Sequence, residues 1–99
     1  MPKLAIIVTI EVTHGHKDDL LPLLMAHRDR CLRDEAGVTL LFEVLAPRDD
    51  DTKVISYEVY RDDAAFEAHR SGRSIAQFRE DTAGMISKMQ VTQCTVIAG

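Results

Sequence analysis

The chain has 99 residues, enough for one hydrophobic core without disulfides or metal and too few for a second domain. A hydrophobic share of 45% beside a charged share of 28% excludes disordered, collagen-like and disulfide-scaffold chains, leaving a single domain over residues 1–99. The net charge of -4 provides no basic face to neutralise phosphates, so neither a nucleic acid nor an anionic membrane is an expected partner.

No apolar run approaches bilayer length. Met1-Pro2-Lys3 leads into a short apolar stretch without the cleavage region of a signal peptide, so the expected location is the cytoplasm. Cys31 and Cys94 lie far apart, with no C-x-x-C spacing and no histidine cluster beside them in sequence. They read as two buried free thiols in a reducing compartment, with no metal role.

Leu4 to Val12 alternates, with Leu4, Ile6, Val8, Ile10 and Val12 on one face, and predicts a strand. Thr13-His14-Gly15-His16 breaks it, and Asp18 and Asp19 then supply negative charge where the dipole of a helix N-terminus favours it. The apolar stripe of that helix runs Leu20, Leu24, His27 and Cys31, and Gly37 provides a stop. Pro22 requires a start close to Asp18, because its missing N–H costs little only near the first turn.

Val38 to Leu45 predicts a second strand, with Val38, Leu40, Phe42 and Val44 on one face. A polar turn over Ala46 to Thr52 leads to a third strand, Lys53 to Tyr60, and the two form a hairpin. Helix resumes from Asp62, pauses at Ser71-Gly72 and runs on from Ser74 to about Lys88; Gln90 to Ile97 closes the domain as a fourth strand. The order βαββαβ is the α+β, ferredoxin-like split βαβ arrangement, a four-stranded antiparallel sheet with helices on one face. Its other face would expose residues such as Ile7 and Leu41, and a second copy of the chain docking by a two-fold axis is the expected cover.

The run Tyr57-Glu58-Val59-Tyr60-Arg61-Asp62, followed by Ala64-Ala65-Phe66 and His69, resembles the antibiotic biosynthesis monooxygenase family. Asp34-Glu35-Ala36-Gly37 is similar to the Glu-Pro-Gly turn before that family's second strand, with Ala36 in place of proline. The resemblance implies a dimeric α/β barrel and one of several activities. These are cofactor-free oxidation of quinols and polyphenols, haem degradation, or isomerisation of a small phosphorylated diketone. Tyr60 stands where the family usually has Trp, a variant closer to relatives that process phosphorylated autoinducer-2 products. Haem degradation is set aside, because it relies on an Asn in the first strand and a Trp, and the chain contains neither residue type.

Cofactor-free oxygenation needs a base, a group to hold a developing oxyanion and a dry pocket. Glu58 and His69 are the candidate base and acid, and Tyr60, two residues from Glu58 on the same strand face, is a candidate donor to the oxyanion. Each also has a structural explanation: Glu58 as an interface ion-pair partner of Arg61 or of a basic residue from a second copy of the chain, His69 as a cap or bridge at the helix break, Tyr60 as a packing aromatic. His27, Phe42 and Arg73 are candidates for substrate contact; Arg73, with Arg70, would favour an anionic substrate if directed into the pocket. His14 and His16 share a turn without a third ligand and define no metal site. Three functions remain open: a cofactor-independent monooxygenase, an isomerase or processing enzyme for a small phosphorylated carbonyl compound, and a non-catalytic dimeric ligand-binding module.

Overall fold

The computed structural model describes residues 2–99. Its elements run β1 (Leu4–Val12), α1 (Lys17–Asp34), β2 (Thr39–Leu45), β3 (Lys53–Tyr60), α2 (Asp63–Arg70), α3 (Arg73–Asp81) and β4 (Ile86–Thr95). This is the ferredoxin-like α+β order, with the second helix broken in two. The sheet is antiparallel in the order β2-β3-β1-β4. Among the described residues no helix is long and apolar enough to cross a membrane.

Register decides what the helices cover. Ile6 lies opposite Glu58 and Ile10 opposite Val54, while Phe42 lies opposite Glu58 from the other side, so these side chains share one sheet face. Ile10, Val12, Val54 and Phe42 pack there against Leu20, Leu24 and Cys31 of α1 and Phe78 of α3. The predicted stripe of α1 is thus its buried face. α1 begins at Lys17, one residue before the expected start, so Pro22 is its sixth residue and falls in the second turn, where it removes one i→i−4 hydrogen bond without ending the helix.

Two expectations are corrected. In β2, Thr39 pairs with Tyr60 and Phe42 with Glu58, so three residues span what two span on β3. This bulge turns Thr39 and Phe42 inward together and leaves Leu40 46% exposed, whereas unbroken alternation would have buried Leu40. The last helix ends at Asp81 instead of near Lys88. The Thr82 hydroxyl donates to the Phe78 carbonyl (2.7 Å), Gly84 takes a positive φ of 83°, and Thr13 N–H donates to the Met85 carbonyl. Ile86 to Gln90, which periodicity assigned partly to the helix, instead pairs with the free edge of β1 as β4.

The break between α2 and α3 is local in origin. Asp62 caps α2 by accepting from Ala65 N–H (2.8 Å), and Gly72 N–H closes the far end on the His69 carbonyl (3.0 Å). A methyl at Gly72 would stand 3.3 Å from that carbonyl, a tight contact, and 3.5 Å from a Glu35 carboxylate oxygen, an ordinary one.

Candidate functional site

The helices do not seal against the sheet completely. A cavity of about 270 Å³ remains between them, walled by Ile6, Val8, Phe42, Phe66 and Phe78, with Glu58, Ser56, His27 and His69 supplying polar groups. β4 forms its outer side through Met89, Val91 and Gln93, all exposed, and Arg70 and Arg79 stand at its rim.

Glu58 reaches the cavity from β3, where alternation also places Ser56 and Tyr60 on the same face. The carboxylate is 5% exposed and has no salt-bridge partner among the described residues. It accepts from the Ser56 hydroxyl (2.6 Å) and the Tyr60 phenol (2.5 Å). Arg61, the cation that sequence suggested for it, is exposed and pairs with Asp62 instead (3.6 Å). Tyr60 is completely buried behind Glu58 and does not line the cavity. Burial, reinforced by the Glu58 carboxylate, pushes the phenol's pKa above its usual range, so the hydroxyl stays a donor. Its proton is directed at Glu58, which makes it a positioning group for that carboxylate.

His69 projects from α2 and is 4% exposed. Its Nδ1 lies 2.8 Å from Glu35 Oε1 at the C-terminal cap of α1. The ring also stands 5.2 Å from that of Tyr60. His69 and Glu58 therefore meet at one cavity without a hydrogen bond to each other. His27 is equally buried, donating from Nδ1 to the Ser74 carbonyl (3.1 Å), stacking on Phe78 and meeting Phe42 edge-on. Burial, then the nearby His69 and Arg30, lowers its pKa to about 4, so it is neutral at physiological pH.

Of the predicted contact residues, His27 and Phe42 line the cavity and Arg73 does not. Arg73 is exposed in the first turn of α3, beside a separate cleft. Arg70 reaches the rim but pairs with Glu67 (3.1 Å) and lies over the Phe66 ring. Sequence reading passed over Glu35 and Ser56. Ser56 was recoverable from the two-residue period of β3 and Glu35 from the four-residue steps His27, Cys31, Glu35. No histidine cluster lies beside the cysteines in sequence, but the fold brings His27 and His69 next to Cys31.

A carboxylate without a cationic partner in an apolar chamber can take a proton, and an imidazole oriented by a second carboxylate can give or receive one. The fold and chamber define a class of small α+β domains built around a small-molecule cavity. The family model described as antibiotic biosynthesis monooxygenase matches residues 4–81, and the chain belongs to that family. No curated protein matches it.

Solved structures resemble it over nearly their whole length. The PA3566 protein of Pseudomonas aeruginosa is 28% identical with a TM-score of 0.88, the match covering 99% of this chain and 97% of that one. A candidate antibiotic biosynthesis monooxygenase of Bacteroides thetaiotaomicron is 18% identical with a TM-score of 0.87, covering 98% and 91%. The NE2512 protein of Nitrosomonas europaea, of unknown function, is 22% identical with a TM-score of 0.85, covering 100% and 93%. The last two likenesses speak for the fold alone.

Proposed function

We propose that the chain is a cofactor-independent monooxygenase acting on a small quinol, polyphenol or other enolisable compound. The observation that carries this reading is Glu58, a buried carboxylate with two hydroxyl donors and no cation, facing a chamber that also holds His69. Glu58 removes a proton from the substrate and leaves an electron-rich enolate or phenolate. For an activated methylene this anion gives one electron to dioxygen, and the radical pair joins in a carbon–oxygen bond. His69, oriented by Glu35, protonates the resulting peroxide. Loss of the second C–H proton then breaks the O–O bond, yielding a ketone and water. The four electrons leaving carbon match the four that reduce dioxygen. The apolar walls keep water from quenching the anion.

Arg73, exposed outside the cavity, lends no support to a phosphorylated carbonyl substrate, and Arg70 at the rim is paired with Glu67. Oxygen consumption over a panel of quinols and anthrone-like methylenes tests the proposal. Uptake that falls at least about 100-fold in Glu58→Gln supports it. Tight binding of such compounds without uptake would leave a ligand-binding module instead.

The functional unit in this reading is a homodimer in the cytoplasm. The sheet face away from the helices carries Ile7, Leu41, Ile55 and Tyr57, only half-buried, and Leu45, 43% exposed, which a second copy would cover. Both cysteines are free, as suits a reducing compartment, although only Cys31 is buried and Cys94, expected to be, is partly exposed on β4. Sedimentation of a monomer at micromolar concentration would exclude this assembly.

A further inference from the structure

Cys31 lies at the centre of a group of metal-ligating side chains that the proposed reaction does not use as such. Its sulfur, one nitrogen of His27 and one of His69 are all within 4.8 Å of one another, and the three residues are buried. Because His27 Nδ1 is held by the Ser74 carbonyl, Nε2 is left with its lone pair, and Cys31 Sγ lies 3.7 Å from each of the two ring nitrogens. The same sulfur is 3.8 Å from His69 Nδ1, which is itself 2.8 Å from Glu35 Oε1.

A tetrahedral zinc ion, with zinc–sulfur bonds of about 2.3 Å and zinc–nitrogen bonds of about 2.0 Å, sets its sulfur and nitrogen ligands roughly 3.5 Å apart. Both sulfur–nitrogen separations are within roughly 0.3 Å of that spacing, and a turn of the Cys31 side chain toward the outer side of Nε2 brings the sulfur within bonding reach of an ion on that lone pair. We propose that Cys31, His27 and His69, with Glu35 as the fourth ligand, form a binding site for a borderline-soft divalent cation of the zinc class.

The pieces fit that ion by topology as well as by distance. His27, Cys31 and Glu35 follow one another at four-residue steps along α1 and its cap, so they form one stripe, and α2 places His69 against it. The carbonyl of Ser74 fixes the His27 ring from outside, as outer partners of metal-bound imidazoles do. A thiolate, two imidazoles and one carboxylate suit zinc and exclude calcium or magnesium, which take oxygen ligands.

Besides that turn of Cys31, binding requires three adjustments. The thiol proton leaves to solvent, the His69 proton moves from Nδ1 to Nε2, and the nitrogen–oxygen contact to Glu35 widens from 2.8 Å to roughly 3.3 Å. The cavity onto which both imidazoles face provides the entry path. An ion held there engages the ring that the oxygenase reading uses as an acid, so loading would suppress that reaction.

The test reads binding, so its failure leaves the proposed reaction untouched, and the reverse also holds. Purified full-length protein, stripped with chelator, is titrated with cobalt(II) and then with zinc(II). The expected result is one equivalent of tetrahedral cobalt with a thiolate-to-cobalt charge-transfer band, displaced by zinc. Cys31→Ser abolishes the band, and Glu35→Gln weakens zinc binding by roughly tenfold or more. Should Cys31→Ser fail to fold, zinc must slow alkylation of Cys31 in the wild-type chain. Cobalt binding without a sulfur band, a band that survives Cys31→Ser, or alkylation indifferent to zinc overturns the site.

Discussion

Acidification should destabilise this protein in a way that one residue, His27, dominates over a defined window. The side chain is 3% exposed, and burial, then His69 and Arg30, lowers its pKa from 6.5 to about 4, against the opposing hydrogen bond to Ser74. The folded state therefore refuses a proton that the unfolded chain accepts between about pH 6.5 and pH 4. Its stabilising contribution is complete above pH 6.5, declines as pH falls and is gone below pH 4. The difference of about 2.5 pH units corresponds to roughly 3 kcal/mol.

That is a large share of the 5–15 kcal/mol expected for a domain, about 0.05–0.15 kcal/mol per residue. Urea denaturation of metal-free protein at pH steps across this window measures it, with His27→Phe as the reference. Phenylalanine keeps an aromatic ring where His27 stacks on Phe78, at a centroid distance of 4.9 Å. It loses the bond to Ser74, worth about 1 kcal/mol at every pH, so the constant offset is separable from the slope. Carboxylate titrations are common to both proteins and cancel. Parallel stability curves for the two would refute the argument, because they would mean that the buried imidazole takes its proton at no cost.

Three further outcomes are expected. Tyr60→Phe removes a buried donor to Glu58 and should cost roughly 1.5–3 kcal/mol in urea denaturation; a loss below about 0.5 kcal/mol would mean that the contact is not made in solution. Phe42→Ala should destabilise by roughly 3–5 kcal/mol, because the ring is 2% exposed and supports both α1 and His27; a thermal melt within a degree or two of wild type would contradict the inward turn at the β2 bulge. Burial, helped by Glu35 and Glu58, raises the Cys31 thiol to about 12, so in native protein at pH 8 its alkylation should follow the rate of opening instead of thiolate chemistry. Rapid stoichiometric modification of Cys31, located by peptide mass spectrometry, would show the thiol to be accessible.

Most of the architecture was legible because it rests on local periodicity. The two-residue alternation of β1 and the stripe Leu20, Leu24, His27, Cys31 each need only their own backbone geometry to declare which face is buried. The same local rule puts Ser56, Glu58 and Tyr60 on one side of β3, while it is the resemblance of the run Tyr57-Glu58-Val59-Tyr60 to the family that singles out Glu58. Where the pattern was ambiguous, the outcome was set by a distant partner. Ile86 to Gln90 carries residues compatible with helix or strand, and the unpaired edge of β1 decided for strand. The bulge in β2 likewise belongs to its register with β3 and has no signature within Thr39-Leu40-Leu41 itself.

Composition and spacing thus determined the α+β class, most of the element order and the strand that bears Glu58. Only tertiary structure decided that Tyr60 lies behind Glu58, that Arg73 stands outside the cavity, and that Glu35, Cys31 and His27 meet His69 across 34, 38 and 42 positions of chain. Periodicity reports which way a side chain points from its own element. Which atoms wait on the other side depends on how helices pack over a sheet, and no local pattern encodes that.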